Sequence, residues 1–153
     1  MTAFDEALRL MGDEDLADFV GERPEVLVVA AEQALGIRFP PSYRRFLGNL
    51  GAGSFGSFEI YGVISQPFDG PVPDAVWATL EERAAPSNLP PSMIVIGADG
   101  MGGSYILDTA NGEDPPVEVW NGGDSQPGDE LERIAPTFGE FLLEGVQDEL
   151  ADQ

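Results

Sequence analysis

Hydrophobic positions near the start of the chain recur three and four residues apart. Phe4, Ala7, Leu8 and Met11 share one helical face, and Gly12 breaks the run. Leu16, Phe19 and Val20 repeat the spacing briefly before Gly21, so residues 1–22 read as an N-terminal helical extension. Pro24 suits the first turn of a further helix, where its missing N–H would have no partner anyway. Leu27, Ala30, Ala31 and Ala34 line one face of that helix, and Gly36 stands where a C-terminal stop belongs. After Pro40 and Pro41, Tyr43, Phe46, Leu47 and Leu50 form another stripe, with Arg44 and Arg45 directed away from it.

Beyond the glycine-rich segment Gly51–Gly56 the period changes to two. Phe58 and Ile60 take one strand face; Ser57, Glu59 and Tyr61 take the other. Proline and glycine between Gln66 and Pro73 require a loop, and Asp74–Ala84 predicts a short helix with Val76, Trp77 and Leu80 inward. Met93–Ile96, Ser104–Asp108 and Val117–Trp120 read as strands. Their connections, at Asp99-Gly100 and Asn111-Gly112, are too short for helical crossovers, so the pairing is expected to be antiparallel. Asn121–Asp129 is polar, glycine-rich and expected to be a mobile loop. Thr137 and Glu140 have the spacing of a capping box, and Phe138, Phe141, Leu142, Val146 and Leu150 stripe the helix that follows. The order of elements predicts an α+β fold. An antiparallel or mixed twisted sheet of about four to six strands would pack with N-terminal helices and a C-terminal helix in one domain spanning residues 1–153.

Charge changes the picture of what such a domain could touch. Seven basic residues, all arginine, stand against 28 acidic ones, for a net charge of −21. A field of that sign repels nucleic-acid backbones and anionic lipid surfaces. It draws in a basic protein partner at a salt-sensitive rate. The plainer reading is that acidity serves solubility alone. The chain has no cysteine and no histidine, which removes disulfide scaffolds and Cys/His zinc sites. Its N-terminus is acidic and lacks the apolar core of a secretion signal. The longest aliphatic run, Val26–Ala31, is far too short for a bilayer, and the expected location is the cytoplasm.

Candidate chemistry is sparse. Gly51-x-Gly53-x-x-Gly56 matches the dinucleotide fingerprint literally, but a helix precedes it and a strand follows, the reverse of the required order. Kinase and P-loop sites use a lysine on the phosphates, and none exists here. Ser54 sits in a segment similar to a nucleophile elbow without a histidine or lysine to act as its base. No spacing singles out an acid pair among the carboxylates. Asp108, Asn111, Glu113 and Asp114 cluster in one turn, yet Ala110 occupies the third position of a calcium loop counted from Asp108. The expectation is therefore no catalytic residue, no cofactor and no metal site. Trp77 and Trp120 are core residues or interface anchors, with Trp120 the better anchor because it alternates with Val117 and Val119.

One string has a more particular form. Val28, Glu32, Leu35-Gly36-Ile37, Phe39-Pro40, Tyr43, Phe46-Leu47, Asn49 and Gly51 stand in fixed spacing. Ile96-x-x-Asp99-Gly100, Tyr105-x-Leu107-Asp108, a valine-rich strand and Phe138-x-x-Phe141-Leu142 follow it. This pattern resembles the SUKH superfamily of cell-wall regulators and bacterial immunity proteins, over residues 24–145. The family's asparagine-glycine-glycine is interrupted here as Asn49-Leu50-Gly51-Ala52-Gly53.

The resemblance implies an α+β fold without catalytic residues, and immunity members that bind a polymorphic toxin, often a nuclease or deaminase, and block it. The function expected is thus a non-catalytic protein-binding module, an immunity protein whose basic partner is a toxin domain, with the monomer favoured. A regulatory or scaffolding module without a toxin is the alternative, and a carboxylate-based enzyme or small-ligand binder is a third. Acids and aromatics on the strand faces opposite the apolar ones are the expected contact surface: Glu59, Tyr61, Glu118 and Trp120, with Asp124 from the polar loop.

Overall fold

A computed structural model describes residues 1–12 and 15–153. Asp13 and Glu14, inside the stretch read as a helical extension, lie outside the described residues. The first helix, α1 (Ala3–Met11), carries a complete capping box: Asp5 N–H donates to Thr2 Oγ1 and Thr2 N–H to the Asp5 carboxylate. The Thr2 N–H, together with Arg45, holds the Asp5 carboxyl down at about 2. Phe4, Ala7 and Met11 are buried as the spacing predicts.

Leu16, Phe19 and Val20 are not helical. Ala17–Phe19 form strand β1, which pairs antiparallel with β2 (Gly53–Phe55), and β2 pairs in turn with β3 (Phe58–Ile60). Three apolar residues fit one turn of helix as well as they fit a strand. Here the free edge of β2 decides, and the Gly53 backbone approaches Asp18 too closely for a side chain. Helix α2 (Glu25–Leu35) buries Val28, Ala31 and Leu35, one residue round from the predicted stripe, and Ala34 is exposed. The aliphatic run Val26–Ala31 holds no polar residue to mark the face. Helix α3 (Pro41–Asn49) buries Tyr43, Phe46 and Leu47.

Helix α4 (Ala75–Arg83) is capped by Asp74, whose carboxylate accepts from the N–H groups of Val76 and Trp77. Its inward face consists of Ala75, Val76, Ala78 and Thr79; Trp77 is only half-buried and Leu80 is exposed, which corrects the predicted stripe. The reason is a close approach to β4 (Met93–Ala98). A register shift between Val95 and Gly97 interrupts the ladder, and the Val95 N–H donates to Thr79 Oγ1 at 3.0 Å. Small residues let the helix sit that close. Strands β4, β5 (Ser104–Asp108), β6 (Val117–Trp120) and β7 (Arg133–Ala135) form a second sheet in sequence order, antiparallel throughout.

The single sheet expected from the sequence is thus two sheets, of three and four strands. They meet where Tyr61 N–H, just past β3, donates to Ile96 O of β4. The last helix, α5 (Phe138–Ala151), begins at Thr137, whose hydroxyl accepts from Glu140 N–H at 3.2 Å. It packs along α1 and across both sheets, and one core runs through all these layers. Among the described residues, no helix is long and apolar enough to cross a membrane.

Gly145 of α5 shows how tight the seam is. Glycine inside a helix costs about 0.5–1 kcal/mol against alanine. A Cβ at residue 145, however, would lie only 2.3–2.6 Å from three carbons of the Phe58 ring. Gly48 of α3 has open space where its Cβ would stand. Gly48→Ala should therefore stabilise the protein by about 0.5–1 kcal/mol, and Gly145→Ala should destabilise it by about 1–3 kcal/mol through overpacking. Urea unfolding of both variants checks this, and equal stabilisation by the two would contradict the packing described.

Candidate binding groove

The seam between the sheets and α5 is open on one side as a groove of about 490 Å³. Its floor is aromatic. Phe58 of β3 and Tyr105 of β5 each meet Phe141 of α5 edge-on, at ring-centroid distances of 5.4 and 5.1 Å, and Ile134 of β7 completes the apolar part. Phe58 and Tyr105 are only half-buried, whereas Phe46, Phe55 and Phe138 are fully covered.

The rim is acidic, and its carboxylates have two kinds of job. Glu149 accepts from Ser57 N–H at 2.6 Å and Ser57 Oγ at 2.8 Å, tying the β2–β3 turn to α5. Asp99 accepts from the N–H groups of Met101 and Gly103 and shapes the β4–β5 turn. Glu59, Glu144 and Asp148 complete the rim, exposed and without an ion pair among the described residues. Among the described residues, no arginine lines the groove.

All seven arginines lie elsewhere, Arg38 among them in a separate depression with Arg44 and Glu113. Arg9 pairs with Glu6, Arg44 with Glu25 and Glu32, and Arg45 with Asp5. Arg23 donates to the carbonyls of Val20, Gly21, Glu22 and Ile64, and Arg83 to those of Leu35 and Pro91. Arg133 precedes Ile134 on β7, and strand alternation turns it away from the groove.

The residues expected on the contact surface do not converge. Glu59 is on the groove rim. Tyr61 is buried, 7% exposed, and lines a smaller depression of about 320 Å³ beyond the β4–β5 turn, with Trp77, Glu81 and Glu82. Trp120 is 1% exposed, its indole N–H shared between Ser87 O and Ser87 Oγ at 3.1 Å each. β6 is covered on both faces, so alternation along it does not expose the tryptophan. Asp124 is exposed in a hydrogen-bonded turn, where its N–H and that of Ser125 donate to Asn121 O.

Glu144, Asp148, Phe58, Tyr105 and Gly145 line the groove but are not among the contact residues expected from the sequence. The signal was present: Phe141, Glu144, Gly145 and Asp148 lie at i, i+3, i+4 and i+7, a second stripe beside the buried one.

Carboxylates above aromatic rings are suited to a cation. The carboxyls pushed up by burial are elsewhere: Asp74 at the α4 cap, despite two N–H donors, and Glu118 on β6. No group of three or more potential metal ligands occurs among the described residues. For Glu118, burial outweighs the lowering effect of Arg133 beside it. Its protonated form is therefore favoured in the folded protein. The stability this gives is full below the ordinary carboxylate range and lost as pH rises through the raised value. Glu118→Gln should thus gain on the wild type between about pH 3.5 and about pH 7, measured as the difference in unfolding free energy. An identical difference at both pH values would contradict this environment.

The residues of the resemblance hold this framework together. The Glu32 carboxylate accepts from Phe39 N–H at 2.7 Å and pairs with Arg44. Tyr43 O–H donates to Tyr61 O, and Gly36 ends α2 in the left-handed conformation at φ 69°. At Gly51, with φ 78°, the Gly21 carbonyl leaves no room for a side chain. No curated protein matches the sequence at a significant level. A family model, SUKH_5, described as SMI1-KNR4 cell-wall, matches residues 4–147. That span is wider than the resemblance and takes in α1 and most of α5. With its motif residues shaping the fold and nearly its whole length covered, the chain belongs to the SMI1-KNR4 cell-wall family of the SUKH superfamily.

Proposed function

We propose that this protein is a non-catalytic binding module that neutralises a basic toxin domain, of nuclease or deaminase type, by occupying it in the cytoplasm. The observation that carries this reading is the groove, where Glu59, Glu144 and Asp148 surround an aromatic floor with no counter-charge of the chain's own among the described residues. Nucleic-acid-processing enzymes present basic clefts to their substrates, and an acidic surface competes for such a cleft by charge complementarity. Family membership and the net charge of −21 support the same direction. Catalysis by the module itself finds little chemistry to use, because the chain has no histidine, cysteine or lysine. The cell-wall description of the family model favours a second reading, a regulatory module with a non-toxin partner.

Co-expression with the products of adjacent genes separates these readings. The expected outcome is rescue of growth from one toxic product, a stable complex with it, and an association rate that falls with salt. Absence of both rescue and complex for every adjacent product would refute immunity. Substrate turnover by the purified protein, abolished by one carboxylate replacement that leaves it folded, would refute the non-catalytic reading.

A further inference from the structure

The chain already contains a small version of a cation seat. The Arg45 guanidinium lies over the Phe4 ring at 4.5 Å from its centroid, and the Asp5 carboxylate pairs with it. Ring below, guanidinium above and carboxylate beside is the arrangement in which cation–π attraction and a charge-assisted hydrogen bond add. The groove has the ring and the carboxylates without the guanidinium. Phe58 and Tyr105 are half-buried at its floor, and Glu144 and Asp148, one helical turn apart on α5, face the same opening as Glu59 on β3.

Solubility alone accounts for a charged rim but not for aromatic rings kept half-buried beneath it. We infer that the groove seats an arginine side chain carried on an exposed basic loop of the partner protein. The guanidinium lies on the Phe58 and Tyr105 rings and is clasped by Glu59, Glu144 and Asp148. This rests on the reading that the protein acts by binding a basic partner, and adds which residue of that partner is recognised and where.

A polypeptide loop fits better than a small free cation. The β4–β5 turn separates the groove from the second depression, and Ala98 and Gly100 line both. That depression repeats the composition, with Trp77 beside Glu81 and Glu82. Met101 stands on the turn between them, 85% exposed. A segment crossing the turn would rest on an apolar side chain and reach an acidic depression on either side. Arginine is preferred to lysine because its planar guanidinium stacks on a ring while donating in its plane; the lysine ammonium is a compact, strongly hydrated charge.

The test uses a hexa-arginine peptide on the full chain, with affinity measured calorimetrically and amide shifts by NMR at about 150 mM salt, where long-range attraction is screened. Two triple variants lose the same charge: Glu59→Gln/Glu144→Gln/Asp148→Asn in the groove, and Glu22→Gln/Glu113→Gln/Glu130→Gln at exposed positions outside it. The expected result is a loss of about tenfold or more for the groove triple and under about threefold for the other, roughly 1.4 against 0.65 kcal/mol. Shifts should centre on residues 57–59, 98–105 and 141–149, and hexalysine should bind more weakly than hexa-arginine. Equal losses in the two triples, shifts spread over the surface, or spermidine or hexalysine binding as tightly as hexa-arginine would overturn the inference. So would undiminished neutralisation of the toxin by the folded groove triple. Failure of rescue by the wild type, with peptide binding still confined to the groove, would sink the toxin reading alone and leave the arginine seat standing.

Discussion

Phe141 holds the two halves of the molecule together. The sheets make little of their own joint: Tyr61 N–H donates to Ile96 O where the short sheet runs up to the long one. Across that joint, Phe141 meets Phe58 of the first sheet and Tyr105 of the second, both edge-on. One turn earlier, Phe138 meets Tyr43 and Phe46 of α3 at 5.3 and 5.5 Å. Burying a large apolar side chain is worth about 1.5–3 kcal/mol, and each aromatic pair adds about 0.5–1.5 kcal/mol. A helix bringing two such residues to four partners sets the angle between the sheets. The groove is the open margin of that same contact, so its shape is fixed by core packing rather than by loop conformation.

Much of this could be read from residue order, and the parts that could not have a common cause. Strong periodicities gave the right faces: Phe4, Ala7 and Met11 on α1, and Phe138, Phe141, Leu142 and Val146 on α5. Failures came where the local pattern was degenerate. Leu16, Phe19 and Val20 suit a helical turn as well as a strand, and only a distant edge, β2, settles the matter. The uniformly aliphatic start of α2 carries no mark of its buried side. The α4 face turned on Thr79, a polar residue buried because Val95 N–H needed an acceptor. The expected exposure of Trp120 failed in the same way. Alternation placed Trp120 outward on the assumption of one covered sheet face, but β6 is covered on both. Glu59 is exposed because β3 is covered on one face only, whereas Glu144 and Asp148 lie in a stripe that also fits a solvated helix face.

The family motif and the groove divide the chain's chemistry between them. Glu32, Tyr43, Gly36 and Gly51 satisfy backbone groups, stop a helix or permit close approach. They determine that the groove exists without lining it. Its lining comes from positions between the motif residues, apart from Asp99, Gly100, Tyr105 and Phe141, which serve both purposes. A scaffold built this way can keep its fold while the rim changes, which is the condition for members of one family to bind different partners.

Net charge alone cannot choose a partner, because −21 spread evenly would attract every base to every face. Selectivity needs the charge to be uneven, and the arginines make it so. On the α1–α3 side, Arg9, Arg44 and Arg45 pair with Glu6, Glu25, Glu32 and Asp5 and offset part of the charge there. Carbonyls take Arg23 and Arg83, which removes two more cations from any surface role. Among the carboxylates left without an ion pair among the described residues, Glu59, Glu144 and Asp148 gather at the seam under α5, where half-buried aromatic rings also lie. In the proposed reading, long-range attraction would govern how often a basic partner arrives and short-range stacking how long it stays. The two effects would act at one place because the helix that packs against both sheets carries both Phe141 and the carboxylates beside it.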